Sequence, residues 1–310
     1  MQKKLIISLT ILLSLSLSSC AKYNDNNPNT SNISKGNNIT ESKDNNSEKL
    51  PNNKTENESK VSTKEASSKP SKSADASSLS NKEIHWGYRP NKEFRTPEIV
   101  ESVNELLKKY SGYFVGDTSS KKLYLTFDEG YENGYTGEIL DILKANNVPA
   151  AFFVTKPYIE KEKDLINRMV NEGHIVGNHT SNHPAMPSVT DDEDKFNKEF
   201  TDTEESFKAV TGKDMPKFFR PPMGRYSEKS LYLTEKLGYK SVFWSFAHKD
   251  WEVNNQPSVE HTIKKIKGGM HNGCVILLHA VSESNTKALD SVIKDLKAEG
   301  YEFLSLDKLN

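Results

Sequence analysis

The sequence predicts an α/β fold: a distorted (β/α) barrel of about seven parallel strands, preceded by a disordered tether and a short N-terminal arm. Three observations carry this. Beyond residue 120, short apolar runs alternate with amphipathic stretches, a rhythm that calls for parallel strands joined by right-handed helical crossovers. Between residues 21 and 80 the chain is mostly Asn, Ser, Lys, Glu and Thr with no hydrophobic period, too polar to offset its chain entropy. The reactive side chains fall at the ends of the apolar runs, where a parallel barrel brings its strand ends to one face.

The chain begins with an export signal. Lys3 and Lys4 precede an apolar run over residues 5–17, shorter than the ~20 residues that span a bilayer. Leu17-Ser18-Ser19-Cys20 resembles a lipoprotein box, so residues 1–20 are expected to be a signal peptide and Cys20 the lipid-bearing first residue of the mature chain. The expected location is outside the cell, lipid-anchored to the outer face of the cytoplasmic membrane and facing the wall. Residues 21–80 then form the tether. The other cysteine, Cys274, lies in the apolar string of residues 274–278 and is expected to be a buried, inert thiol. A formal net charge of -1 over 310 residues offers no basic surface for nucleic acid.

Residues 81–119 read as an arm, with aromatics at His85-Trp86-Gly87-Tyr88 and a helical pattern through Val100, Val103, Leu106 and Leu107. A segment this short needs another surface to pack on. Residues 120–310 form the main domain. Its strand-like runs are residues 123–127, 150–154, 174–177, 217–219, 241–244, 274–278 and 301–304. Helical spacing links Ile139, Leu140 and Leu143, and then Leu165, Ile166, Met169 and Val170 before Gly173, a helix stop. Thr190-Asp191-Asp192-Glu193 reads as a capping box ahead of Phe196, Phe200 and Phe207 on one helical face. Further helices are expected near residues 228–237, 258–267 and 285–299.

His179 and His183 are four residues apart, a spacing that puts both imidazoles on one side of a helical turn and can hold one divalent cation. Such a pair is by itself weak, since most histidine pairs are structural. With a carboxylate from Asp128-Glu129 at another strand end, a two-histidine, one-carboxylate site with open positions becomes coherent. A cation there would polarise a carbonyl and activate water, Asp128 could take the water's proton, and Arg220 could hold that carboxylate ionised. The paired prolines in Arg220-Pro221-Pro222-Met223-Gly224 stiffen a loop suited to aiming a backbone N–H at an oxyanion. His279 is the natural acid for an amine leaving group, oriented by Asp250. His85, His174, His248, His261 and His271 have no comparable context and are assigned no role.

These strings resemble, in order, the five motifs of the polysaccharide deacetylases, also called NodB-homology or carbohydrate esterase family 4 enzymes. Thr126-Phe127-Asp128-Glu129-Gly130 resembles the first and His179-Thr180-Ser181-Asn182-His183 the second. Arg220-Pro221-Pro222-Met223-Gly224, Asp250-Trp251 and Leu277-Leu278-His279 resemble the rest. The resemblance implies Asp128 as base partnered by Arg220, and His279 as acid tuned by Asp250. It implies His179, His183 and Glu129 as ligands of a divalent metal ion, zinc or alternatively cobalt or manganese. Met223 would give the oxyanion donor from its backbone, and Trp251 and Leu277 would line the acetyl pocket. Most members carry Asp where this chain has Glu129, whose extra methylene moves the oxygen.

Asp128-Glu129-Gly130-Tyr131-Glu132-Asn133-Gly134-Tyr135-Thr136, together with the arm, is similar to the sporulation enzymes of the family. That resemblance implies N-acetylmuramic acid in peptide-stripped peptidoglycan as substrate, on the way to the muramic δ-lactam of spore cortex, with functional coupling to a peptidoglycan amidase. Two alternatives stand beside it: a vegetative N-acetylglucosamine deacetylase, and a non-catalytic glycan-binding protein.

Overall fold

The computed structural model describes residues 76–90 and 93–309. The signal peptide, the lipidation at Cys20 and the tether up to residue 75 lie outside the described residues.

The strands are β1 (Ile84–His85), β2 (Gly112–Tyr113), β3 (Lys122–Glu129), β4 (Ala150–Val154), β5 (Ile175–Asn178), β6 (Phe218–Phe219), β7 (Arg225–Tyr226), β8 (Lys240–Val242), β9 (Phe246–Ala247), β10 (Cys274–His279) and β11 (Glu302–Phe303). Nine of them form one sheet in the order β2-β8-β6-β5-β4-β3-β10-β9, with β11 paired to the start of β3. Every pairing in this sheet is parallel. All seven expected runs are strands of this sheet. The two unexpected members, β2 and β9, are two residues long and are set beside polar or small residues.

Only three residues separate β8, paired to β6, from β9, paired to β10. One bent stretch of chain therefore joins the two flanks of the sheet and curls it toward a barrel.

Side-chain alternation sorts the strands into two faces. Leu123, Leu125, Phe127, Phe152, Val154, Ile276 and Leu278 belong to a large core. There they meet α2 (Thr136–Ala145), α4 (Lys163–Asn171) and α8 (Glu283–Ala298). Tyr124, Ala151, Phe153, Val242 and Val275 form a separate cluster within the curl, filled by Leu306 and Leu309. This parity decides which residues reach the site. Thr126 and Asp128 share the face of Tyr124, whereas Glu129 shares that of Leu125 and Phe127.

The arm is bound to the sheet at several points. β1 pairs antiparallel with β7, β2 extends the sheet beside β8, and α1 (Glu101–Lys109) buries Leu107 against Tyr226 and Phe243. Packed structure begins before Ile84: Ala76 sits against the Phe196 and Phe200 cluster, and the Ser80 carbonyl accepts from Lys229 N at 3.0 Å. The helix α5 (Glu193–Thr211) is capped not by Thr190 but by Asp192, whose carboxylate accepts from Lys195 N at 3.0 Å. Thr190 instead donates to the Pro187 carbonyl.

Candidate active site

The C-terminal ends of the parallel strands surround a cleft of about 1110 Å³ lined by Asp128, His179, His183, Met223, Trp251, Leu277 and His279, among others. Each of these side chains belongs to the set expected from the sequence, and the curl brings them together from five strand ends.

Asp128 and His279 are register partners on β3 and β10. Arg220 follows β6, is fully buried, and donates from Nη1 to Asp128 Oδ1 at 2.8 Å. Its Nε donates to the Val242 carbonyl at 3.1 Å, and its guanidinium lies 4.2 Å from the Phe153 ring centroid. Burial alone pushes the Asp128 carboxyl upward, but the charge of Arg220, the largest opposing influence, helps to outweigh it and hold the group below the usual carboxylate range. Asp128 is therefore ionised at neutral pH.

At the other side of the cleft, Asp250 is buried and binds His279 twice: Oδ1 is 2.7 Å from the ring Nδ1, and Oδ2 accepts from the backbone N–H at 2.9 Å. Burial disfavours a charged imidazole, but the hydrogen bond and charge of Asp250, aided by Asp128, raise the His279 pKa above its ordinary value. Asn285, in the first turn of α8, donates to Asp250 Oδ2 at 2.6 Å. Its carbonyl oxygen lies 3.0 Å from His248 Nε2. Asn285 was not foreseen, since nothing sets it apart in an amphipathic helix. His248, assigned no role from sequence, lines the cleft and belongs to this network. Trp251 is half-exposed, its ring edge-on to His279 at 5.6 Å.

His179 and His183 do not lie on a helical turn. They sit in an irregular loop with Thr180 (φ 73°) and His183 (φ 54°) in the left-handed region, and their ring centroids are 4.9 Å apart. His179 Nδ1 is 2.8 Å from the Arg220 carbonyl and must donate to it, which leaves Nε2 as a lone-pair donor 3.7 Å from Asp128 Oδ2. Burial, the largest influence, lowers the His179 pKa to about 4 and that of His183 in the same direction, so both rings stay neutral.

Glu129 does not join them. Its position on β3 turns it away from Asp128, and it is fully buried with neither carboxylate oxygen hydrogen-bonded. Burial first, then the nearby charges of Glu132 and Asp128, push its pKa well above the usual range. Among the described residues no three His, Cys, Asp or Glu side chains converge as a metal site. The donors that fit a cation are the two neutral imidazoles, with Asp128 the carboxylate on their side.

Met223 sits on the far wall with a left-handed backbone (φ 57°) and a half-exposed side chain. Gly224 behind it is also left-handed, and a Cβ there would meet Trp86 Cβ at 2.9 Å. Lys249, also not foreseen, lines the cleft with its side chain 60% exposed and an outward ion pair to Glu252 at 2.6 Å.

Residues 115–242 match the family described as Polysaccharide deacetylase. The peptidoglycan-N-acetylmuramic acid deacetylase PdaA of Bacillus subtilis is 41% identical over 76% of this chain and 89% of its own length. The chain belongs to the polysaccharide deacetylase family. It is a hydrolase acting on the N-acetyl amide. A solved structure of B. subtilis PdaA, described as a family 4 carbohydrate esterase, superposes with a TM-score of 0.72 at 40% identity, covering 74% of this chain and 98% of that one. A Bacillus cereus peptidoglycan-N-acetylglucosamine deacetylase is 34% identical over 66% of this deacetylase and 73% of its own length. Family 4 deacetylases are metal-dependent in general.

Proposed function

We propose that the protein removes the acetyl group from N-acetylmuramic acid in peptidoglycan glycan strands, acting where the stem peptide has been stripped, and so supplies the amine that closes to the muramic δ-lactam of spore cortex. The observation that carries the hydrolysis is the register pairing of Asp128 with His279, a carboxylate biased toward its ionised form and an imidazole biased toward its protonated form at adjacent strand ends of one cleft.

The chemistry follows from that pair. Asp128, kept ionised by Arg220, accepts the proton of the water that attacks the acetyl carbonyl. The Met223 N–H, on its stiff Pro221-Pro222 loop, faces the oxygen on which negative charge develops. His279 donates its proton to the departing nitrogen, and Asp250 stabilises the charged imidazole until it does. Leu277 and Trp251 wall the acetyl methyl. His179 and His183 would hold a divalent cation, zinc or alternatively cobalt or manganese, which supplies Lewis-acid polarisation of the carbonyl.

Lys249 favours the muramic reading. Once the peptide is gone, the lactyl group ends in a free carboxylate, which glucosamine lacks, and Lys249 is an exposed cation on the cleft wall. The similarity to B. subtilis PdaA supports the same substrate. The second reading, a vegetative N-acetylglucosamine deacetylase, draws on the B. cereus relative. Acetate release by the purified protein on peptide-stripped and on peptide-bearing glycan separates them, and equal rates on both would defeat the muramic reading. A non-catalytic glycan-binding role is disfavoured by the complete proton-transfer set.

The proposed setting is the outer face of the cytoplasmic membrane, held by lipid on Cys20, downstream of a peptidoglycan amidase that strips the peptide. Changing Cys20 to Ala should move the protein out of the membrane fraction; retention there would contradict the anchor.

A further inference from the structure

The two imidazoles sit in a loop that does not hold its own shape. No helix or strand fixes residues 179–183, and two of them are left-handed without being glycine, one a β-branched threonine. A conformation of this kind persists only where its surroundings impose it.

We infer that Glu199, on the second turn of α5, is the positioning residue that imposes it. Its side chain is buried, yet no cation among the described residues pairs with it. Every acceptor it offers goes to the histidine loop. Oε2 accepts from Ser181 N at 3.1 Å, Ser181 Oγ at 3.1 Å and Asn182 N at 2.8 Å, and Oε1 accepts from Asn182 Nδ2 at 2.9 Å. The Glu199 backbone carbonyl takes a further bond from Ser181 N at 3.0 Å. Two successive backbone N–H groups aimed at one carboxylate oxygen form an anion-binding concavity whose anion is supplied by the protein itself. A buried carboxylate is tolerated when charge-assisted hydrogen bonds replace its hydration, as they do here.

The platform beneath Glu199 is rigid. Phe196 and Phe200 of the same helix are fully buried against Phe219 of β6, the strand that leads into Arg220. Local bonds complete the loop: Asn178 Oδ1 accepts from Thr180 N at 2.8 Å, and Thr180 Oγ1 accepts from His183 N at 2.8 Å. Glu199 is not among the residues lining the cleft, so it acts through the rings rather than on substrate. Its consequence is that the two rings are held with their centroids 4.9 Å apart before any ion arrives.

This assignment rests on the reading that His179 and His183 hold the cation. The test is calorimetric Co²⁺ titration of the full chain, wild type against Glu199→Ala and Glu199→Gln, with thermal melting and acetate release at saturating Co²⁺ measured alongside. Glu199→Ala should bind Co²⁺ at least tenfold more weakly, because the loop must be gathered as the ion binds. Glu199→Gln keeps the shape but removes the charge and sets an N–H₂ against the Asn182 Nδ2 donor when its oxygen takes the three donors at Oε2. It should melt close to wild type and bind Co²⁺ about threefold or more weakly, while recovering most of the rate at saturation. A folded Glu199→Ala protein with wild-type affinity overturns the inference; if that variant does not fold, wild-type affinity in Glu199→Gln overturns it. A wild-type chain that binds no Co²⁺ sinks the cation reading instead, so the two failures are distinguishable.

Discussion

Asp128 and His279 face the cleft from paired positions on adjacent parallel strands, the acid biased toward its ionised form and the imidazole toward its protonated form by different buried partners. Arg220 does the first and Asp250 the second. Two groups displaced in opposite directions from their ordinary values leave a wide pH interval in which both are in the working state.

The pH–rate profile should therefore be bell-shaped. Asp128 is active when ionised, and its pKa lies below the carboxylate range, so the acid side does not fall off until pH is well below neutral. His279 is active when protonated, and its pKa is raised, so rate is lost as pH climbs through that value, above the usual histidine pKa near ~6.5. Asp250→Asn should move the alkaline limb to lower pH and reduce kcat. An alkaline limb that stays put in Asp250→Asn would contradict the role given to His279.

Asp128→Asn should cost about 10²–10⁴ in rate by removing the proton acceptor. It should also cost about 3–5 kcal/mol in stability by leaving the buried Arg220 charge without a counter-charge. Adding Arg220→Met should restore part of the stability and none of the activity. Chemical denaturation of the two variants, alongside acetate release, checks both halves.

Glu129→Gln should leave Co²⁺ affinity within about threefold of wild type, because the side chain shares the face of Phe127 and not that of Asp128. A loss of tenfold or more would show that Glu129 turns inward to ligate.

Lys249→Ala should lower kcat/KM on peptide-stripped muramyl glycan by roughly tenfold, the worth of one charge-assisted contact. It should leave chitooligosaccharide turnover nearly unchanged. Parallel losses on both substrates would remove the lactyl carboxylate from its role.

Much of this was legible in the sequence. The long strands β3, β4 and β10 appear as apolar runs because both of their faces are buried, and reactive residues at the strand ends located the cleft. That double burial hid the parity. In residues 123–127 neither face is marked by a run of polar side chains, so Asp128 and Glu129 looked equally able to reach the site, and only Asp128 does. β9 was missed because Phe246-Ala247 lies between Ser245 and His248, outside any apolar run, though it is the piece that returns the bent β8–β9 stretch to β10. Asn285 and Glu199 are ordinary polar residues of amphipathic helices by every local criterion. Their importance comes from what the fold lays against them.

The arm reaches the Met223 turn through Trp86. Trp86 stacks on Phe243 at 4.5 Å, donates from its indole N–H to the Trp244 carbonyl at 3.0 Å and, through its backbone N–H, binds the Gly224 carbonyl at 2.7 Å. It thus braces the turn that carries Met223 from outside the main core. Sub-global opening, in which one segment detaches while the rest stays folded, would start at the two-residue β1 pairing rather than at β2 or α1. Detachment of β1 would release the Met223 turn with the barrel strands still paired, so inactivation on warming should precede the calorimetric melt.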